Sequence, residues 1–254
     1  LTSLKDDSVG GDTDGDGGAP AAGNWGYMKV SGAGASATLN HTYIRYGRGY
    51  TGGSDSYNAV VYVDTGAALT INGGGIEDSY YHGLCGYRSG DVVLRDAVVS
   101  RNGSGSGSSY SYGGISSVTD NGSGLTLERV TAANNTRRGV TWYGSALTIT
   151  DSVMESNGGY GVYAHVNGLT VTGSTFQNNT SAGLVTYSNG ETYRPTLLNN
   201  TFSGNGGDGA NLNGAMVLQD DLIVGNSGSG NGTNRISLGG VITGTSTLGP
   251  QTNL

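Results

Sequence analysis

Three consecutive stretches of this chain copy one another. They read GLTLERVTAANNTRRGVTWYGS, ALTITDSVMESNGGYGVYAHVN and GLTVTGSTFQNNTSAGLVTYSNG. Leu125, Leu147 and Leu169 stand 22 apart, as do Leu127, Ile149 and Val171, Asn135, Asn157 and Asn179, and Gly139, Gly161 and Gly183. A period in this range, with β-type apolar pairs and small turn residues, describes a unit that cannot bury its apolar face alone. It does so by stacking on its neighbours. The chain is therefore read as a solenoid.

The repeat can be followed outside these copies. Its template is an apolar-x-apolar strand, an apolar residue five positions on, an Asn three further, then a Gly that opens a second strand. The first apolar column is Leu39, Ile71, Leu94, Leu127, Ile149, Val171, Leu197 and Leu218. The second is Ile44, Ile76, Val99, Ala132, Met154, Phe176, Phe202 and Ile223. Alternation within each short segment puts both columns on one face, inside a tube of strands. The copies are too short for a strand–helix unit and show no helical period. They fit a coil of short strands, so the expected fold is all-β: a right-handed parallel β-helix of about nine coils over residues 37–238. Residues 1–36 read as an acidic Gly-rich loop and a first strand, and residues 239–254 as a cap or continuation. Segments 101–112 and 188–194 are insertions, which in solenoids often mark the working side.

Asn102, Asn135, Asn157, Asn179, Asn205 and Asn226 form the asparagine column. Asparagine tolerates left-handed backbone and bonds to nearby backbone. Stacked at the ~4.8 Å strand spacing, the side chains would also bond to each other. Several sit in Asn-x-Ser/Thr triplets, but the ladder is a sufficient account of them.

Composition limits the function classes. Glycine is abundant at 49 residues, yet proline occurs three times and no Gly-X-Y period exists, which excludes collagen. Net charge is −7 and Lys5 and Lys29 are the only lysines, so nucleic acid is not an expected partner. No apolar run approaches the ~20 residues of a membrane span. Cys85 is alone, which leaves no internal disulfide and no cysteine metal cluster. The chain begins at Leu1 and reads as a processed product or a piece of a longer protein.

Near the N-terminus, Asp12-x-Asp14-x-Asp16-Gly17 sets alternate carboxylates to converge on one hard cation, with Asp6 and Asp7 near enough to complete a site. Calcium is the ion such donors suit. The pattern departs from an EF-hand, whose twelfth position here is Gly23 rather than Glu. A solvated acidic loop is the alternative, and no other cofactor is expected.

The pattern LTIxxSxxxxNxxxGV resembles the β-helix repeats of the pectin-lyase-like superfamily, over residues 37–238. The segment TSLKDDSVGGDTDGDGG…NWG resembles a loop of large secreted bacterial β-helix proteins. The resemblance implies an extracellular or cell-surface location. It leaves function open, because this architecture carries lyases, hydrolases, phage tailspikes and adhesins.

Aligned on the repeat glycine, positions two and four of the following strand point outward. Position four brings Tyr87, Tyr143, His165 and Tyr187 into one column, and position two adds Tyr163. At ~4.8 Å per coil, Tyr143, His165 and Tyr187 form a track matched to sugar-ring spacing. The alternative is a ladder that only stabilises the coil, at roughly 0.2–1 kcal/mol per pair. For a polysaccharide lyase, Arg137, Arg138 and His165 are the candidate bases, but a carboxylate cluster to hold an acidifying cation is missing on this face. A hydrolase needs two carboxylates about 5–9.5 Å apart. Glu77, Asp78, Asp91, Asp96, Glu128, Asp151, Glu155, Asp220 and Asp221 are scattered over different corners, and Asp208 stands three coils beyond Arg138 with no acidic neighbour in its column. Cys85, His41 and His82 have no partner pattern. The expected function is a non-catalytic structural or adhesive module that holds a polysaccharide or cell-surface glycan. A lyase or glycosidase acting on an acidic glycan, and a subunit that self-associates into a fibrous assembly, are the alternatives.

Overall fold

A computed structural model describes residues 1–8, 10–12, 14–50, 58–105, 113–117, 123–188, 190–219 and 221–254. Asp220 and most of the 101–112 insertion lie outside the described residues. The strands run in order β1 (Met28–Ser31), β2 (Ser36–Arg45), β3 (Ala59–Asp64), β4 (Ala68–Glu77) and β5 (His82–Tyr87). Next come β6 (Val92–Ser100), β7 (Ile115–Ser117), β8 (Gly124–Glu128), β9 (Thr131–Ala133) and β10 (Val140–Thr150). They are followed by β11 (Val153–Glu155), β12 (Val162–Thr172), β13 (Thr175–Gln177), β14 (Leu184–Tyr187) and β15 (Thr196–Leu198). The last are β16 (Thr201–Ser203), β17 (Asp208–Met216), β18 (Ile223–Val224), β19 (Ser227–Ser229) and β20 (Thr233–Ile242).

The strands pair in parallel and wind into a solenoid with three faces. The first face stacks β1, β3, β5, β7, the start of β10, the start of β12, β14, β17 and β20. The second stacks β2, β4, β6, β8, the ends of β10 and β12, β15 and β18. The third carries β9, β11, β13, β16 and β19 above the last residues of β6. The solenoid makes about seven turns rather than the nine expected from the sequence. Among the described residues nine rungs do stack on the first face, but its outermost two, β1 and β20, pair there on one side only and are edges rather than enclosed coils.

The interior follows from the period-two alternation of the strands. In β12 buried and half-buried residues alternate along VYAHV and again along LTVT. The residues just after the repeat glycine, Leu84, Ile115, Val140, Val162, Leu184 and Ala210, are buried and stack in register. Each Leu, Ile or Val of this kind contributes roughly 1.5–3 kcal/mol by leaving water. The glycine column is needed where the wall turns. A Cβ on Gly139 would stand 2.7 Å from the carbonyl oxygen of Gly161 and 2.9 Å from Nδ2 of Asn157, closer than real Cβ atoms come.

The apolar columns keep their expected register as far as Leu197 and Phe202, where the last copy slips. Leu197 pairs with Ile223, not Leu218, and Phe202 pairs with Gly228, not Ile223. The later coils advance by 26 residues rather than 22, so an apolar residue five positions early mimics the pattern. Gly228 leaves the phenylalanine column without a side chain, and Leu254 turns back to fill it. A Cβ at Gly228 would lie 2.3 Å from Cδ2 of Leu254. Residues past 238 go on stacking: Thr243, Thr247 and Thr252 donate backbone N–H to the carbonyls of Met216, Leu218 and Asn226.

The asparagine column is two ladders. One runs Asn102, Asn135, Asn157, Asn179, Asn205 and Asn231, each side-chain oxygen accepting both the backbone N–H and the Nδ2 of the preceding asparagine at 2.8–3.2 Å. The other runs Ser152, Ser174, Asn200, Asn226 and Gln251 at a second corner, and Asn226 belongs to it. The left-handed residue at each corner is the one before the ladder asparagine, as at Asn134 (φ 54°), Ser156 (φ 52°) and Asn178 (φ 54°).

Candidate ligand-binding face

The outer side of the first face is where the singled-out aromatic residues meet. Tyr143, His165 and Tyr187 lie on successive rungs. Their rings stack at 4.7 Å and 14°, then 4.7 Å and 18°. The faces a sugar would stack on are thus turned toward neighbouring rings, and the stack presents its edges and phenol ends outward. Tyr163 leans across all three, with centroids 6.4, 5.5 and 5.7 Å from Tyr143, His165 and Tyr187. Its hydroxyl is 3.2 Å from Nε2 of His165. Burial raises the Tyr163 phenol above its ordinary value, the neighbouring tyrosines add to this, and the Arg138 charge opposes it. The phenol is therefore protonated at neutral pH.

Arg138 closes this cluster. Its guanidinium lies 4.2 Å from the Tyr163 ring centre and 5.2 Å from that of Tyr160, which is itself 5.6 Å from Tyr163. A guanidinium flat on a ring keeps its charge and its outward N–H groups. Arg137 beside it is exposed. Neither arginine forms an ion pair with a described carboxylate. Tyr87 stands apart from this group, packed with Tyr50 on the buried Tyr62 and Cys85, with Arg88 5.3 Å over its ring.

Seven of the acids named from the sequence serve the scaffold. Glu77 pairs with Arg45 at 2.9 Å and with Arg101 at 3.1 Å, and Asp78 pairs with Arg101 at 2.7 Å. Asp96 pairs with Arg129 at 2.6 Å, Glu128 with Arg95 at 3.1 Å and also with Arg129, and Asp208 with Arg235 at 3.0 Å. Asp91 accepts the Gly124 N–H and Glu155 accepts from Gln177. Most of these bonds tie one coil to the next. Cys85 is buried, which pushes its thiol well above the ordinary range. His82 is buried too, its Nδ1 accepting the Gly113 N–H at 3.0 Å, and burial lowers it to about 4. His41 is an exposed corner residue at φ 48°.

At the N-terminus the carboxylates of Asp7, Asp12 and Asp14 come together, each offering an oxygen within 4.8 Å of the others. Asp16, expected as the third member, pairs with Lys5 instead and accepts the Gly18 N–H. Asp6 is tied to the hydroxyls of Thr2 and Ser8. Burial, and then repulsion from Asp12 and Asp14, raises the Asp7 carboxyl above its ordinary value.

These rungs, ladders and pairings are those of a coil whose model describes a right-handed β-helix region, matching residues 30–194 and 120–247. The chain belongs to the right-handed β-helix family. The matched region covers nearly every strand, and the Arg138–Tyr163 cluster falls inside both matched segments. No curated protein and no solved structure matches the chain. Among the described residues no helix is long and apolar enough to cross a membrane.

Sequence reasoning brought Tyr143, Tyr163, His165 and Tyr187 together and set Arg138 near them. It missed Tyr160 as a second ring under Arg138, and it missed the arginine–carboxylate pairs between coils. A signal for those pairs was present, since Asp96 and Arg129 occupy equivalent corners of adjacent coils and both have positive φ.

Proposed function

We propose that this β-helix is a non-catalytic module of a secreted or cell-surface protein of the pectin-lyase-like type, and that it holds an acidic polysaccharide along the outer side of its first face. The observation that carries the reading is Arg138, laid on Tyr163 and Tyr160 with no described carboxylate as partner, beside a row of aromatic edges. A uronate carboxylate would take the outward N–H groups of Arg138 and Arg137. Sugar hydroxyls would take the phenol ends of Tyr143 and Tyr187, so the contact is polar along the ring edges rather than face stacking. Glu77, Asp78, Asp91, Asp96, Glu128, Glu155 and Asp208 are occupied in ion pairs and hydrogen bonds of the scaffold, which favours binding over cutting.

The test is retardation of the protein in gels containing polygalacturonate, alginate or a neutral glucan. Binding to an acidic polymer, lost in Arg138→Ala and weakened by salt, is expected. Unsaturated products or new reducing ends on incubation with these polymers would replace this reading by the lyase or glycosidase alternative.

Association into an assembly is a second reading, favoured by β20. Among the described residues it pairs on one side only, and it exposes Val241 and Ile242 near its end. An uncovered strand edge of this length invites a further rung, here the β1 edge of a second copy. A mass that stays monomeric at high concentration in light scattering counts against it. The Asp7, Asp12 and Asp14 oxygens are hard donors of the kind calcium takes. A calcium-dependent rise in melting temperature, abolished in Asp12→Asn, is the expected result for that site.

A further inference from the structure

A separate concavity of about 560 Å³ lies beside the first rungs, lined by Trp25, Tyr27, Arg48, Tyr81, Asn24 and the backbone of intervening glycines. Its volume is within the ~300–1,000 Å³ of small-molecule sites. Its two rims are fixed to each other: Arg48 donates its N–H to the Trp25 carbonyl at 2.7 Å, and Gly49 to the Gly26 carbonyl at 3.1 Å. The Trp25 indole N–H is used up on the carbonyl of Arg45, which holds the ring in place. Tyr27, 43% exposed, is braced edge-on by Tyr50 at 5.1 Å. Gly26 leaves its side open, since a Cβ there would meet nothing within 4 Å. Arg48 is exposed, lies 5.6 Å over the ring of Tyr80 and pairs with no described carboxylate.

The geometry points to a binding site for one carboxylate-bearing pyranose, a uronic acid residue, between Trp25, Tyr27, Tyr81 and Arg48. Aromatic walls suit the C–H faces of a pyranose, and a guanidinium at the rim that pairs with no described carboxylate suits a ligand carboxylate by paired charge-assisted hydrogen bonds. Asn24 adds an amide for ring hydroxyls, although its Oδ1 already accepts the Ala21 N–H. This inference does not rest on the polysaccharide reading above, because none of its residues belongs to the Arg138 cluster.

Trp25 supplies the readout. The other tryptophan, Trp142, is fully buried in the coil interior, so a ligand-dependent change in fluorescence reports the pocket. Galacturonate and glucuronate are expected to change the emission saturably, and Trp25→Phe to abolish the change. Galactose should bind at least about tenfold more weakly, and Arg48→Gln should lower galacturonate affinity about tenfold while Arg48→Lys loses less. Melting temperatures of the Arg48 variants should match the parent, since Arg48 is exposed. No saturable change with galacturonate, an equal response to galactose, an equal response to acetate, or unchanged affinity in Arg48→Gln would each overturn the assignment. Retained polymer binding by Arg48→Gln in the gel assay leaves the two sites separate, and loss of pocket binding would then concern the pocket alone.

Discussion

Leu254 fills the space that Gly228 leaves in the column occupied by Phe176 and Phe202. The two phenylalanines stack at 5.0 Å and 18°, and the next rung offers no side chain of its own. A residue 26 positions further along the chain completes the layer. Leu254→Ala is expected to destabilise the last coils by about 1–2 kcal/mol, below the full buried Leu→Ala cost because the residue is only partly covered. Urea denaturation followed by circular dichroism would measure it. A midpoint equal to the parent's would mean that the plug does not seal the coil.

Asn157 sits mid-ladder and serves three coils. Its Oδ1 accepts from Asn135, and its Nδ2 donates to the Ala132 carbonyl and to Asn179. Asn157→Ala strands buried donors and acceptors on both sides, for an expected loss of about 2–4 kcal/mol. Asn231→Ala, at the exposed end of the same ladder, should cost much less. Equal losses at the two positions would argue against a buried ladder as the source.

His82 ties stability to acidity. Its folded value of about 4 lies below its ordinary 6.5, so the unfolded chain takes up the proton first as pH falls. Stability is thus constant above about pH 6.5 and declines toward pH 4, by an amount on the order of 3 kcal/mol if the whole interval is traversed. The lowered carboxyls of Asp96 and Glu128 add losses only in the more acidic part of this range. Melting temperature followed from pH 7 to 5 should fall in the parent and stay flatter in His82→Gln. Identical slopes would exclude the histidine as the cause.

Cys85 is enclosed by Tyr62 and Ala59, and its raised thiol stays protonated. Native protein should react with an aromatic disulfide reagent at least about a hundredfold more slowly than urea-unfolded protein, because the thiolate is the nucleophile. Comparable rates would mean that the cluster opens readily.

The fold was legible because a stacked coil repeats its chemistry. Leu127, Ile149 and Val171 had to be inside, and the parallel register followed from their spacing. Legibility ended in the coil after Leu197 and Phe202, where Gly228 takes the place of an apolar residue. Leu218 has the right character at the wrong place, and only the pairing of Leu197 with Ile223 reveals the slip. The outward track was legible as a column of residues but not as an arrangement of rings. Whether Tyr143, His165 and Tyr187 offer faces or edges depends on rotamers, which spacing does not encode. Trp25 lies before the recognisable repeat, and Arg48 follows Gly47 in a first copy that lacks the ladder asparagine, so no column singles them out. Asp16 was displaced from the acidic group by Lys5, a pairing fixed by how the loop folds back and not by the alternation of its carboxylates.

Because, among the described residues, β1 and β20 each have a neighbour on one side only, hydrogen bonds of this stretch of coils can fray at both and no single centre holds it. Local opening enters from those rungs and must pass each coil in turn. Protection of backbone amides against exchange should accordingly rise along the axis from both ends and peak near β10 and β12, a gradient set by distance from an end rather than by depth below the surface.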